Sequence, residues 1–445
     1  MTSTSSPAET PDHSNPHYLR AVSGMAQRSC VVAQSAIYND NGIKLIEKGG
    51  RISSQLYDRL VEHRLREPIE NQLAVENAVN TQALLGSARE LAESDPLAVL
   101  LVKALGSIAP LLEPLRSLPL PAPVAFKLTV MREERPMLFK HSMLMALVSL
   151  FLGIREGLDA RLRVSLAAAA LLHDVGMLHM DPVWFDNEKK ITGADRRHLV
   201  VHPVTAMLMV RDAKVYTRAV ELAVLEHHER MDGTGYPRGL QGVQISQLGR
   251  ILLLAEVVSA FYEKFTEHPA RQLSLMLRLH HQKFPAELVV HLLALLQSVQ
   301  VSATELPENF GSNAERRMDM LTQALERWES TLLSAPVHLR TTATGGDQNA
   351  LAFLDKRVRT LEKTLAEAGM HPLQLTRSYL EQFQQDADGM AELEFVGREA
   401  LWQLRSIANA CLRRWPLLPA QGDPTPETVT DAAVVQWCSW VLQQE

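Results

Sequence analysis

The chain has 445 residues, of which 46% are hydrophobic and 22% are charged, so its length allows two or three domains and its composition is that of a globular protein. Its net charge of -6 excludes binding to nucleic acid or to an anionic membrane through an overall positive charge. Cys30, Cys411 and Cys438 are odd in number and far apart. They indicate a reducing compartment and lack the spacing of a disulfide framework or a zinc site.

The beginning of the chain, MTSTSSPAETPDHSNPH, is polar and contains no apolar segment typical of a secretory signal. We expect residues 1–18 to be disordered. The longest apolar run, MLMALVSLFLG at 143–153, is shorter than the ~18 residues that a membrane helix needs. The sequence therefore predicts a cytoplasmic protein without a membrane partner.

Residues 19–125 predict a small α+β unit. The segment VVAQSAIYNDNGIKLIEKGG (31–50) predicts two short strands around a turn at Asn41 and Gly42, because Asn-Gly supplies the positive φ angles of a tight hairpin. Apolar residues at helical spacing follow over 51–65, and helical patterns continue from about 70 to 120. The proline-rich SLPLPAPVAF then breaks the pattern and predicts a domain boundary.

The remaining sequence is helical by pattern, so the predicted fold class is mainly α. An all-α bundle domain is expected over 126–300, and its candidate helices cover 137–154, 160–176, 194–211, 215–230, 246–264, 270–281 and 285–298. A helical C-terminal region is expected over 301–445, with a linker at 341–349 and a loop at 420–428. Five tryptophans of this region are predicted to fill a core or an interface: Trp328, Trp402, Trp415, Trp437 and Trp440.

Histidines and acids interrupt the apolar faces of the helices between 130 and 260. They are His141, His173, Asp174, His202, His227, His228 and Glu256. Burying one such group costs several kcal/mol, about 2–7 for a neutral polar group, unless it is paired, so seven of them in one domain need a common explanation. Divalent transition metals supply one, since a carboxylate that bridges two ions ~3.5–4 Å apart suits hydrolysis of a phosphate ester.

A single histidine on a helix is more often a satisfied core or surface residue than a metal ligand. We place His179 and His198 in that class, together with about five further histidines that include His268, His280 and His281.

Four strings then resemble, in order and spacing, the HD-GYP branch of the HD metal-dependent phosphohydrolases. They are HDVGM at 173–177, HP at 202–203, HHERMDGTGYP at 227–237 and ILLLAEVVSA at 251–260, and the resemblance runs from about 130 to 300. It implies an all-α HD-domain bundle with two or three metal ions, usually iron or manganese. It also implies hydrolysis of cyclic di-GMP to a linear dinucleotide (pGpG) or GMP in bacterial signalling. The resemblance leaves room for a homodimer and for a signalling protein partner.

The resemblance also implies roles for individual residues. The metal-ligand positions are His141, His173, Asp174, His202, His227, His228 and Glu256. Asp174 would bridge the two metals, and His173 and Asp174 would be essential for catalysis. Residues 232–237 form the GYP loop, which would lie near the substrate and a partner surface. The substrate-binding candidates are Asp232, Gly233, Gly235, Tyr236, Pro237 and Arg250.

Four positions depart from the family pattern. Met177 replaces a lysine near the phosphate, Glu256 replaces an aspartate, and Phe265 replaces an arginine. Met137 stands where some members have a glutamate for a third metal, which favours two metals here. The nearby basic residues either replace the lost charge or form a solvated face; they are Lys189, Lys190, Arg196, Arg197 and Arg250.

Three hypotheses follow. The chain is a cyclic di-GMP phosphodiesterase, or a degenerate module that binds metal or nucleotide and acts through protein partners without turnover, or a hydrolase of another phosphoester. A partner would contact the GYP loop or residues 301–445.

Overall fold

Helices dominate the computed structural model, which describes residues 15–53, 56, 60–185, 193–297, 310–341, 349–372, 387–416 and 425–444. Within these ranges there are seventeen α-helices and four short strands. The predicted mainly α fold is therefore confirmed. The chain divides into two compact units, one of Met1–Thr266 with Gln282–Leu295 and another of Glu267–His281 with Leu296–Glu445.

The first unit begins with a small α+β part. Its elements are α1 (Pro16–Arg28), β1 (Val31–Ala33), β2 (Ile37–Tyr38), β3 (Lys44–Ile46), β4 (Leu73–Val75), α2 (Thr81–Ser94), α3 (Pro96–Leu105) and α4 (Ala109–Arg116). The predicted hairpin is present as the antiparallel pair β2–β3, whereas β1 pairs with β4. Helix α1 starts inside the segment 1–18 that was predicted to be disordered, because the Asn15 side chain accepts the N–H groups of His17 and Tyr18.

A helical bundle follows. Its helices are α5 (Ala122–Glu134), α6 (Pro136–Arg155), α7 (Ala160–Leu172), α8 (Gly193–Asp212), α9 (Arg218–Glu226) and α10 (Gln247–Lys264), and the next two are α11 (Pro269–Leu279) and α12 (Ala286–Gln297). Helix α6 lies centrally and packs on α5, α7 and α10. The predicted helices over 160–176 and 215–230 end earlier than expected, at Leu172 and Glu226, because the chain turns at the histidines that follow.

Helix α6 is long and apolar enough to cross a membrane, with a mean hydropathy of 1.8, but 78% of its apolar window is buried inside the fold. It is therefore the core helix of the bundle. Among the described residues, α3 and α4 pass the same test only when they are joined, and they bend by 102°.

The second unit contains α11, α13 (Phe310–Ser334), α14 (Val337–Thr341), α15 (Ala350–Glu367), α16 (Ala387–Arg414) and α17 (Pro426–Gln443). Helix α11 packs on α16 in this unit, so the predicted boundary at 300 differs from the observed division. Trp328 and Trp437 lie in the core with ring centroids 5.0 Å apart, as predicted, but Trp402 is 59% exposed. The predicted linker and loop at 341–349 and 420–428 lie largely outside the described residues.

Candidate metal centre

Five elements of the first unit bring the predicted ligands together. His141 projects from α6, His173 and Asp174 follow the end of α7, His202 lies in α8, His227 and His228 follow the end of α9, and Glu256 lies in α10. Placement at helix ends lets two consecutive side chains point at one site, which the 100° rotation per residue inside a helix prevents. All seven side chains are buried or nearly so.

Gly176 sets the distance between the turn after α7 and helix α8. A Cβ at this position would lie 2.5 Å from the His202 carbonyl oxygen and 2.8 Å from the Ala206 nitrogen, so only glycine permits this approach. The close packing brings Nε2 of His202 to 3.1 Å from Oδ1 of Asp174.

The ligands form two adjoining clusters. One contains His141, His173 and Glu256, and the other contains Asp174, His202, His227 and His228; in each cluster the donor atoms all lie within 4.8 Å of one another. Asp174 connects them, because its Oδ2 is 3.3 Å from His173 Nε2 and its Oδ1 is 3.6 Å from His227 Nε2. Each cluster has the size and donor types of a divalent transition-metal site.

Hydrogen bonds to the backbone orient three of the imidazoles. His173 Nδ1 lies 2.7 Å from the Ala170 carbonyl oxygen, and His202 Nδ1 lies 2.5 Å from the Leu199 carbonyl oxygen. His227 Nδ1 lies 2.6 Å from the Val224 carbonyl oxygen. A carbonyl oxygen accepts only, so Nδ1 must carry the proton. The lone pair of each Nε2 therefore points into the clusters, as metal binding requires.

His141 is oriented differently, by two carboxylates of α10. Its Nε2 lies 3.0 Å from Glu256, and its Nδ1 lies 3.0 and 3.1 Å from the two oxygens of Glu263. Burial lowers the pKa of His141, but the two carboxylates outweigh burial and raise this pKa well above 6.5.

Burial lowers the pKa of His173, but Asp174 and Glu256 outweigh burial and raise it, as the carboxylates do for His141. Burial opposes ionisation of Asp174, but His173 and His202 outweigh it and hold the pKa of Asp174 well below 3.8. Burial raises the pKa of Glu256, but the neighbouring His141 more than offsets burial, so this pKa is also lowered. Burial lowers the pKa of His228 well below 6.5. Ionised carboxylates beside a neutral imidazole are the protonation states in which these groups bind a metal ion.

Two buried atoms give an independent test of whether metal ions fit. Nε2 of His173 and Oδ1 of Asp174 make no hydrogen bond, although ion-pair contacts at 3.1–3.6 Å surround them. An unsatisfied buried polar atom is costly in a folded protein. Divalent cations in the two clusters would satisfy both atoms, so the residues fit such ions.

The GYP loop lies against the second cluster. The Tyr236 ring stacks on His228, with centroids 4.7 Å apart and planes at 24°, and the Tyr236 N–H donates to the His228 carbonyl oxygen. The peptide bond between Tyr236 and Pro237 is cis. A Cβ on Gly235 would lie 2.3 Å from the Arg230 nitrogen, so the loop folds back on the end of α9 only with glycine there.

Comparison with known proteins gives the same picture for this part of the chain. Residues 129–281 match the family model of the HD domain. These residues form an HD domain, which contains the strings that resemble the HD-GYP branch.

Curated relatives match over short segments of the chain. The chain is 35% identical over 98 residues to 3'3'-cGAMP-specific phosphodiesterase 3 of Vibrio cholerae, covering 22% of this chain and 21% of the relative. It is 36% identical over 92 residues to cyclic di-GMP phosphodiesterase PA4108 of Pseudomonas aeruginosa, covering 21% and 22%. The chain thus spans about a fifth of the length of these relatives. The solved structure of Bd1817, an HDG"Y"P protein from Bdellovibrio bacteriovorus, is 19% identical, with a TM-score of 0.34 over 60% of this chain and 95% of that one.

The structure locates the positions at which this HD domain departs from the family pattern. Met177 lies half-buried in the 3-10 helix Val175–His179, directly after the HD pair. Phe265 directly follows α10 and packs on Phe261 with ring centroids 4.4 Å apart, and Met137 is 70% exposed.

The basic residues considered as replacements for the lost charge have different positions. Arg250 donates to Glu287 at 3.0 Å, outside both clusters. Lys189 and Lys190 lie outside the described residues, and so do the side chains of Arg196 and Arg197.

The histidines that were set aside as structural include two with clear partners outside both clusters. His179 stacks on Tyr18 with centroids 4.7 Å apart, and His280 lies 3.1 Å from Glu399.

Sequence reasoning missed three carboxylates and one cation around the HD domain site. Glu229 accepts the N–H groups of Arg238 and Leu240 at 2.8 and 2.9 Å, and Glu226 accepts that of Ser246 at 2.8 Å. The third carboxylate is Glu263. The cation is Arg230: Glu256 and Tyr236 raise its pKa, but burial outweighs them and lowers it. The motif HHER already contained Glu229 and Arg230, and their sequence proximity to the ligands was the available signal.

Proposed function

We propose that this chain is a metal-dependent phosphodiesterase that hydrolyses cyclic di-GMP to pGpG or GMP. The observation that carries the proposal is the pair of adjoining clusters joined by Asp174, in which ionised carboxylates and inward-pointing Nε2 atoms surround two buried atoms without hydrogen bonds. Related proteins whose names state this activity support the substrate class.

His141, His173 and Glu256 would hold one cation, and Asp174, His202, His227 and His228 the other. We infer iron or manganese, since imidazole and carboxylate donors suit both. When bound, two such cations attract the phosphate oxygens and make an attacking water more acidic. The protein residues fix this arrangement in advance: backbone carbonyls hold three imidazoles, and Asp174 reaches both clusters.

The GYP loop and Arg230 would contact the nucleotide. The half-buried Tyr236 ring stacked on His228 provides an aromatic face next to the cations, on which a guanine base can stack. Arg230 would supply positive charge for the phosphodiester, in place of the lysine that Met177 replaces. The exposed Thr234 of the loop would also face a signalling protein, and the proposal includes a homodimer in the cytoplasm.

The proposal is tested by metal content and turnover on one purified sample. Metal-loaded protein is expected to contain two ions per chain and to release linear product from cyclic di-GMP. Asp174→Asn, which removes the charge shared by the clusters, is expected to abolish turnover and to lower the metal content. His291→Gln is the control, because this histidine pairs with Glu156 at 2.9 Å and belongs to neither cluster.

Turnover of 3'3'-cGAMP and of a linear phosphodiester in the same assay separates cyclic di-GMP specificity from action on another phosphoester. If the protein binds two ions but releases no product with iron or manganese, the first proposal is wrong. The second candidate function then stands: a degenerate module that binds metal or nucleotide and acts through partners. Met177 is the observation that favours it, because loss of the lysine removes a cation from the phosphate region.

A further inference from the structure

We infer that Glu263 is a positioning residue for one of the two metal ions, because it fixes the orientation and the basicity of His141. The inference rests on the proposed metal centre. Glu263 lies outside the ligand set that the family resemblance implies, but its carboxylate is 3.0 Å from His141 Nδ1.

Two carboxylates of helix α10 contact the two nitrogens of the His141 ring. Glu256 and Glu263 are seven residues apart, which is two helical turns, so both carboxylates project from the same face of α10. Glu256 faces Nε2 at 3.0 Å, while both oxygens of Glu263 face Nδ1, at 3.0 and 3.1 Å. A carboxylate that faces Nδ1 accepts a hydrogen bond from the Nδ1–H group, so the lone pair lies on Nε2, where it would be available to a cation held also by Glu256.

The carboxylate distinguishes His141 from the three histidines whose Nδ1 contacts a backbone carbonyl. A carbonyl oxygen is neutral, whereas an ionised carboxylate withdraws the Nδ1 proton more strongly and makes Nε2 a better electron donor. His173, the other imidazole of the first cluster, is already held by Ala170. Glu263 therefore acts on one ligand of one cluster and on none of the second cluster.

The side chain of Glu263 is 29% exposed, so this carboxylate also lies where solvent reaches the His141 side of the site. Its charge adds to that of Glu256 beside the first cation. Carboxylates that hydrogen-bond to a metal-ligating histidine typically contribute about 10–100-fold in metal affinity.

The experiment is an isothermal calorimetric titration of the chelator-stripped full chain with Mn²⁺. It is carried out on the wild type, Glu263→Gln and Glu263→Asp. Glu156→Gln is a matched control, because Glu156 also faces a histidine nitrogen, at 2.9 Å, with a side chain 26% exposed, but outside both clusters. In Glu263→Gln we expect one of the two Mn²⁺ ions to bind about 10–100-fold more weakly and the other to bind unchanged. Glu263→Asp keeps the charge and is expected to recover part of the loss, whereas the control binds both ions as the wild type does.

The outcomes separate the inference from the proposed function. If the wild type binds no Mn²⁺, the proposed metal centre is wrong. If the wild type binds two ions and Glu263→Gln binds them with the same affinities, Glu263 does not position His141. Equal weakening of both ions, or weakening without recovery in Glu263→Asp, also contradicts the inference, because a general loss of structure has that effect. If Glu263→Gln loses its helical circular dichroism, the folded Glu263→Asp is used instead. Selective weaker binding of one Mn²⁺ ion in that variant supports the inference, and unchanged binding of both ions contradicts it.

Discussion

Glu229→Gln tests whether a buried carboxylate holds the GYP loop on the HD domain. Glu229 is 0% exposed, and its two oxygens accept the N–H groups of Arg238 and Leu240 at 2.8 and 2.9 Å. The substitution keeps the shape of the side chain but turns an NH₂ group toward one of these two donors. One charge-assisted bond is then neutral and the other is replaced by a contact between two donors.

A hydrogen bond to a charged group contributes about 1.5–3 kcal/mol, and a buried donor left unsatisfied costs about 1–3 kcal/mol. We therefore expect Glu229→Gln to destabilise the loop by about 2–4 kcal/mol relative to the wild type. That free energy raises the population of the open loop by a factor of roughly 30 to 700, since each 1.4 kcal/mol is tenfold. The Tyr236 ring then leaves His228, and both the aromatic face and the backbone of the loop become accessible.

Limited proteolysis with trypsin measures this opening, because Arg238 is an exposed cleavage site within the segment that Glu229 holds. The rate of cleavage after Arg238 should rise in Glu229→Gln in proportion to the open population. Glu113→Gln is the control, since that side chain is 60% exposed and faces Arg163 only at 4.0 Å. Equal cleavage rates in Glu229→Gln and the wild type would refute the assignment of Glu229 as the anchor of the loop.

Three further predictions concern single positions. Gly235→Ala should lower the melting temperature, because the new Cβ would lie 2.3 Å from the Arg230 nitrogen. Gly86 lies in α2, and a Cβ there would have no atom within 4 Å, so Gly86→Ala should raise stability by about 0.5–1 kcal/mol in the same thermal melts. Burial lowers the pKa of His179 to about 4 from 6.5, so the unfolded chain takes up this proton first as the pH falls. The neutral His179 therefore contributes up to about 3 kcal/mol to the free energy of unfolding above pH 6.5, and this contribution is lost between pH 6.5 and 4. Urea unfolding of His179→Gln should show a smaller loss of stability over that pH range than the wild type. An identical loss in both proteins would contradict this reasoning. Met177→Lys should increase cyclic di-GMP turnover about tenfold or more by restoring a cation near the phosphate, and an unchanged rate would show that the methionine is not limiting.

The sequence predicted most of the helical bundle because its signals are local. Apolar residues at helical spacing depend on neighbours within two turns, and the observed helices Pro136–Arg155, Gly193–Asp212 and Gln247–Lys264 follow that pattern closely. The predicted helices over 160–176 and 215–230 were too long. The HD and HHE strings continue the helical spacing of apolar residues, but both helices end before the histidines of these strings.

The sequence by itself also determined the candidate ligands, since buried imidazoles and carboxylates at helix ends need a common partner and their order resembles one family. Only the tertiary structure decided how these ligands divide into two clusters and which atom orients each imidazole. Glu263 is 122 residues from His141, and β1 pairs with β4 across more than 40 residues, so no local pattern contains either contact. Helix α11 likewise joins the second unit through packing on α16. Long-range contacts such as these depend on how whole elements pack, whereas the helices and their ligands are encoded within a few turns of the chain.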